Sequence, residues 1–177
     1  EGQNVTIPIA DFTNNRNVGE LEVSKAVSGT TDNTQDFTFV VTLTPLSGVK
    51  LENSYPVETT DAVKENNTDN STNPSTSVFI ADDRIALTGT DSSKSVTIKL
   101  KADQKILIKE LPAGTTYKVQ ETVMPADYEQ IDPAGDAQGT ITTDKSTAAF
   151  INNYKKNTTS VIARSEERRV GKECRSR

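Results

Sequence analysis

The sequence predicts an all-β domain built as an antiparallel β-sandwich, and three observations carry that prediction. Nearly every apolar segment alternates with a period of two, clusters of turn-forming residues separate the segments, and no stretch holds a helical period long enough to define a helix. The alternating segments are "LEVSKAV" (21–27), "DFTFVVTL" (36–43), "SVTIKL" (95–100), "KILIKEL" (105–111), "TYKVQETV" (116–123) and "TAAFINNY" (147–154). Between them stand "SGTTDN", "TPLSG", "LPAG" and "DPAGD", whose Gly, Pro, Asn and Asp supply turn geometry. Residues 56–77, "PVETTDAVKENNTDNSTNPSTS", are too polar to bury and are expected to form a long surface loop. Within that run "DNSTNP" lacks the turn glycine and terminal glutamate of a calcium loop.

Composition narrows the function classes. Hydrophobic residues are 33% of the 177, so the core is lean, and the net charge of −5 gives no reason to expect nucleic acid or an anionic membrane as partner. Histidine is absent, which removes Ser-His-Asp triads, Cys-His pairs and His-ligated metals. The lone cysteine, Cys174, cannot form an internal disulfide. No run reaches the roughly 20 apolar residues of a membrane span. The chain opens on Glu with no signal peptide and reads as an excerpt of a longer, exported protein. Nothing calls for a cofactor or a metal, and an enzyme acting on external substrates has almost nothing in its favour.

Two short segments resemble each other, "DFTNNRN" (11–17) and "AFINNYK" (149–155). Each reads Phe-x-Asn-Asn, and the first runs directly into the next alternating strand, as in a tandem array cut out of register. Residues 1–17 are therefore expected to be the last strand of a preceding similar domain, with 18–155 as the intact domain and 156–177 as a disordered tail. Residues 164–177, "RSEERRVGKECRSR", hold six basic and three acidic residues in an otherwise acidic chain and read as foreign sequence.

Three strands each place a polar residue on the face that alternation assigns to the core. Lys25 shares a face with Leu21, Val23 and Val27; Glu121 with Tyr117, Val119 and Val123; Asn152 with Phe150 and Tyr154. Buried charges are rare unless paired, so these residues are expected to meet in one cluster. A buried salt bridge satisfied by an asparagine is one outcome. The other is chemical, because an amine, a carboxamide and a carboxyl group in a dry pocket are the parts for making an amide bond. Burial disfavours both charged forms, moving an amine down from about 10.4 and a carboxyl up from about 4.3. Lys25 would then attack the side-chain carbonyl carbon of Asn152, with Glu121 stabilising the intermediate and moving protons to the departing ammonia.

The "LEVSKAVSG" start, the "LPAGTTYKVQE" stretch and the closing "FINN" resemble Cna-B-type domains, the isopeptide-forming modules of Gram-positive surface adhesins and pilins, and streptococcal-type pilin shaft domains above all. The resemblance spans 18–155. It implies an immunoglobulin-like β-sandwich in a cell-wall-anchored surface protein. It also implies a Lys25–Asn152 isopeptide bond with Glu121 as catalyst, and likens Asn14 to the bond-forming asparagine of the preceding domain. Val23, Phe37, Phe39, Tyr117, Val119 and Phe150 would surround the bond. The expected partners are neighbouring domains of the same polypeptide, other pilin subunits or a host surface ligand. No sortase signal follows residue 155, and "NSYPVE" (53–58) has Val57 where the pilin Tyr-Pro-Lys motif has its lysine, so its Tyr-Pro pair is expected to be ordinary loop. A ligand-binding adhesin domain on the same fold is the alternative function.

Overall fold

A computed structural model describes residues 17–68 and 80–155 as two packed sheets. The strands are β1 (Val18–Ser28), β2 (Phe37–Thr44), β3 (Ser54–Thr59), β4 (Ile80–Ala81), β5 (Arg84–Ala86) and β6 (Thr88–Thr90). The chain continues through β7 (Ser93–Leu100), β8 (Lys105–Pro112), β9 (Thr116–Val123), β10 (Tyr128–Asp132), β11 (Ala137–Thr140) and β12 (Lys145–Tyr154). One sheet has the order β10-β12-β1-β8-β3-β5-β4 and the other β11-β9-β2-β7-β6. The all-β sandwich is the observed architecture.

Alternation places the core where the sequence puts it. Leu21 and Val23 of β1 and Phe37, Phe39, Val41 and Leu43 of β2 are buried between the sheets, with Val96, Ile98, Leu100, Ile106, Ile108 and Phe150. Burying a side chain of this size contributes about 1.5–3 kcal/mol each, which is how a lean sequence still closes a sandwich.

The pairing is antiparallel with one exception. β1 and β12, the first and last strands described, run parallel and side by side over nine residue pairs, from Glu20↔Lys145 to Ser28↔Asn153. Parallel neighbours need a long crossover, and here the rest of the domain supplies it. Near the start of β1 the ladder with β8 shifts register between Gly19 and Leu21. Gly19 is required there by close approach, since a Cβ would lie 1.7 Å from the backbone oxygen of Thr142.

Three expectations are corrected. The 56–77 run is not one loop: residues 56–59 finish β3, and 61–66 form a one-and-a-half-turn helix, α1 (Asp61–Asn66). Two isolated valines decide this, because Val57 and Val63 are buried and anchor otherwise polar segments to the core. Asn67 then ties α1 to the sheet, its amide donating to the Lys99 carbonyl at 2.7 Å and accepting from the Lys99 N–H at 2.7 Å. Residues 69–79 lie outside the described residues. Second, the Tyr-Pro pair of 53–58 sits in β3 rather than in a loop, with Tyr55 buried and its hydroxyl accepting from the Glu52 N–H. Third, Val123 is 59% exposed. The β2–β9 ladder passes from Phe39↔Glu121 to Thr38↔Val123, so one extra residue, Thr122, bulges and turns Val123 to the outside. Segments 1–16 and 156–177, with Asn14 and the basic tail, also lie outside the described residues.

Candidate functional site

The site is built where the two sheets face each other. Lys25 is on β1 and Asn152 on the adjacent β12, in the inward phase of both strands. The register sets Lys25 beside Phe150 and Val27 beside Asn152, so the amine and the amide are diagonal neighbours on one face. Glu121 arrives from the opposite sheet, on β9, directly across the ladder from Phe39 of β2. Three strands from two sheets thus deliver three polar side chains to one point.

All three are removed from water. Lys25 is 1% exposed and Asn152 fully buried, and the Glu121 side chain is 1% exposed. Glu121 Oε1 accepts from Lys25 Nζ at 3.1 Å and from Asn152 Nδ2 at 2.9 Å, so a single oxygen joins the amine and the amide. Lys25 Nζ lies 4.3 Å from the centroid of the Phe37 ring and 5.9 Å from that of Phe39. Phe39 packs on Phe150 at 5.0 Å between centroids. Desolvation pushes the Lys25 amine below its ordinary lysine value, and the charge and hydrogen bond of Glu121 oppose the shift without cancelling it.

Two buried atoms of the trio have no hydrogen-bond partner, Glu121 Oε2 and Asn152 Oδ1. Orphaned polar atoms in a dry site are costly, of order 1–3 kcal/mol each, and in native proteins they concentrate where chemistry happens. A half-turn of the Asn152 amide about Cβ–Cγ would aim Oδ1 at the Glu121 carboxyl group. A protonated Glu121 could then donate to that oxygen.

Of the residues expected around the trio, Phe37, Phe39 and Phe150 pack as described, and Val23 lies one inward position before Lys25 on β1. Tyr117 and Val119 sit further along β9, opposite Leu43 and Val41. The Tyr117 ring lies over Gly139, where an added Cβ would come within 2.7 Å of the phenol oxygen. The aromatic that sequence reasoning missed is Tyr128 of β10. It is 6% exposed, stands edge-on to Phe37 at 5.2 Å and 87°, and packs against Tyr154 at 5.2 Å. Its segment, "YEQID", carries too little apolar alternation to announce a strand. Among the described residues no group of three or more Cys, Asp or Glu side chains could hold a metal ion, and no helix is long and apolar enough to cross a membrane.

The fold defines a class: a pilin-like β-sandwich. Solved structures similar to this chain include the pilus-presented adhesin Cpa, at 22% identity and a TM-score of 0.53 over 78% of this chain and 28% of that one. They also include a major pilin of Streptococcus pyogenes, at 23% identity and a TM-score of 0.52 over 78% of this chain and 48% of that one. A second major pilin of the same organism, T3.2, is similar at 20% identity and a TM-score of 0.53, over 77% of this chain and 45% of that one. This chain therefore matches less than half the length of each. A family model described as a domain of unknown function, DUF7601, matches residues 19–154, and the chain belongs to that family. No curated protein matches it.

Proposed function

We propose that this domain is a structural stalk or pilin-type module of a bacterial cell-surface protein, of the Cna-B type, and that it staples itself with an isopeptide bond between Lys25 and Asn152. The observation that supports this reading most is the buried trio in which Glu121 touches both the amine and the amide.

Proton transfer from the Lys25 ammonium to Glu121, across their 3.1 Å contact, yields a free amine beside a carboxylic acid. Desolvation eases this transfer by pushing the Lys25 amine below its ordinary lysine value. The amine attacks Asn152 Cγ while Glu121 donates to Oδ1, the developing oxyanion. A Nζ–Cγ bond forms and the Cγ–Nδ2 bond breaks. Nδ2 leaves as ammonia, taking one hydrogen from Nζ by way of Glu121; the proton first passed to Glu121 departs with the ammonia as ammonium, which restores the carboxylate. The product amide keeps one N–H, so atoms balance without cofactor or outside reagent. Folding supplies the proximity, which in well-oriented systems is worth roughly 7–11 kcal/mol of barrier. The chain acts once, on itself.

The link would join the first and last strands described. Under tension it would shield the chain between residues 25 and 152, which otherwise could extend by roughly 400 Å at about 3.3 Å per residue. Its partners on this reading are neighbouring domains of the same polypeptide and other subunits of a fibre. A host-ligand-binding adhesin domain on the same fold is the second reading, favoured by the likeness to Cpa. Deleting residues 69–79 and assaying binding to host cells separates the two, since a stalk loses nothing.

Intact mass tests the bond. The folded wild-type chain is expected to be lighter than its sequence by one ammonia, and Glu121→Ala to have its full mass. Equal masses for the two would defeat the chemistry and leave the fold untouched.

A further inference from the structure

We infer that Tyr128 is a positioning residue for this bond: from the edge strand β10 it closes the amine's pocket against water by holding the Phe37 ring over Lys25. The inference rests on the Lys25–Asn152 reading above. Its own support is the way β10 is attached. Among the described residues that strand pairs only with β12, and it does so on the segment that carries the amide of Asn152, with Tyr128↔Tyr154, Glu129↔Asn153 and Gln130↔Asn152. Docking β10 therefore fixes the backbone of Asn152 and delivers the Tyr128 ring in a single step.

The aromatic row is continuous. Phe37 covers the amine at 4.3 Å, Tyr128 abuts Phe37 edge-on, and Tyr154 backs Tyr128. An edge-to-face pair is worth about 0.5–1.5 kcal/mol beyond its buried area, enough to fix the orientation of a ring. Beyond Tyr128 lie the loop carboxylates Asp32 and Asp127, whose charges act on the phenol together with Tyr154. Tyr128 thus stands between charged, solvated loops and a dry lysine. On the other side, among the described residues, the amine meets Glu121 as its one ion-pair partner, with Phe37 and Phe39 as its walls.

Removing the ring would admit water to Lys25. Hydration restores the ammonium, raises the amine toward its ordinary lysine value and lowers the free-amine fraction at neutral pH. Bond formation in Tyr128→Ala is therefore expected to slow by at least about tenfold, the loss of free amine that accompanies a one-unit rise in an amine's pKa. Because the reactive form is the free amine, the slowed reaction should accelerate as pH rises. A purely structural loss has no reason to produce that dependence.

The experiment follows ammonia loss by intact mass during incubation at pH 6, 7.5 and 9, for the wild type and for Tyr128→Phe, Tyr128→Leu and Tyr128→Ala, with circular dichroism to confirm folding. Wild type and Tyr128→Phe should be fully linked when purified. Tyr128→Ala should be partly unlinked and convert faster at higher pH. Tyr128→Leu, which keeps apolar bulk without the ring, should fall between and carries the test if the alanine variant does not fold. A linked wild type with equally linked alanine and leucine variants overturns the role of Tyr128 alone. Slow conversion with no pH dependence, or failure of both variants to fold, overturns it as well by reducing the residue to general packing. A wild type at full mass overturns the bond and this inference together.

Discussion

Among the described residues two buried lysines stand beside an asparagine, and only one of the two sites also holds a buried acid. In the first, Lys25 and Asn152 share the carboxylate of Glu121. In the second, Lys94 of β7, 6% exposed, donates directly to Oδ1 of Asn53 in the loop before β3. Among the described residues no acid is ion-paired to Lys94. The nearby carboxylate, Asp91, is exposed and held by Lys50 at 3.0 Å. The Lys94 amine is thus hydrogen-bonded to the amide oxygen with no buried acid to take its proton or to feed one to a leaving ammonia. Proximity of amine and amide is common to both sites. The difference is a buried carboxyl group in contact with both partners, and on the proposed reading Glu121 is what would separate a reactive pair from a structural one.

The comparison can be broken most decisively at Asn152. On the proposed reading, Asn152→Ala removes the bond and with it the closure of a loop of more than a hundred residues, worth on the order of 5 kcal/mol by the cross-link entropy model. Unfolding in denaturant should show a loss of that size relative to wild type. A loss near that of an ordinary buried hydrogen bond, about 1 kcal/mol, would mean that no covalent link was there.

Asn53→Ala gives the matching experiment at the other pair. It is expected to cost about 1–3 kcal/mol, because Lys94 keeps its burial and loses its acceptor, while the protein still loses one ammonia. Peptide mapping of the wild type should find a lysine–asparagine cross-link at Lys25 and none at Lys94. A cross-link at Lys94 would show that the acid is dispensable.

The smallest effect belongs to the outer face of the same strands. Glu22 of β1 accepts from Lys105 of β8 at 3.3 Å and from Lys145 of β12 at 3.2 Å, an ionic bridge across three strands. Partial burial pushes the Glu22 carboxyl up, and the hydrogen bonds and charges of the two lysines outweigh it, so the net shift is downward. A carboxyl lowered on folding contributes stability above its unfolded value of about 4.3, and that contribution fades as pH falls through the lower folded value. The stability difference between wild type and Glu22→Gln should be at most about 1 kcal/mol at pH 7 and vanish at low pH. A difference that persists there would assign the effect to packing rather than charge.

The inward phase of Lys25 and Asn152 was legible because β1 alternates from Val18 to Lys25 and β12 from Ala148 to Asn152. Glu121 was legible for the same reason, but Val123, two residues on, was not. The bulge at Thr122 depends on the partner strand, and a period-two reading of β9 alone has no access to it. The helix α1 and strand β3 hid in a polar run because each is held by few apolar anchors, Val57 and Val63 among them. Tyr128 was invisible for a related reason: β10 is an edge strand in which Tyr128 alone is fully buried, so it leaves almost no hydrophobic period. The parallel pairing of β1 with β12 is a matter of topology, which no local pattern encodes.

That pairing decides how the domain can be threaded. A chain entering at Val18 and leaving at Tyr154 comes in at one pole of the sandwich and goes out at the opposite one. With antiparallel outer strands both connections would fall at the same pole, and successive units would fold back like a zigzag. Here each repeat would add nearly its full strand length to the contour, roughly 3.3 Å for every residue of β1. In an array of such units, direction would be conserved from one bead to the next.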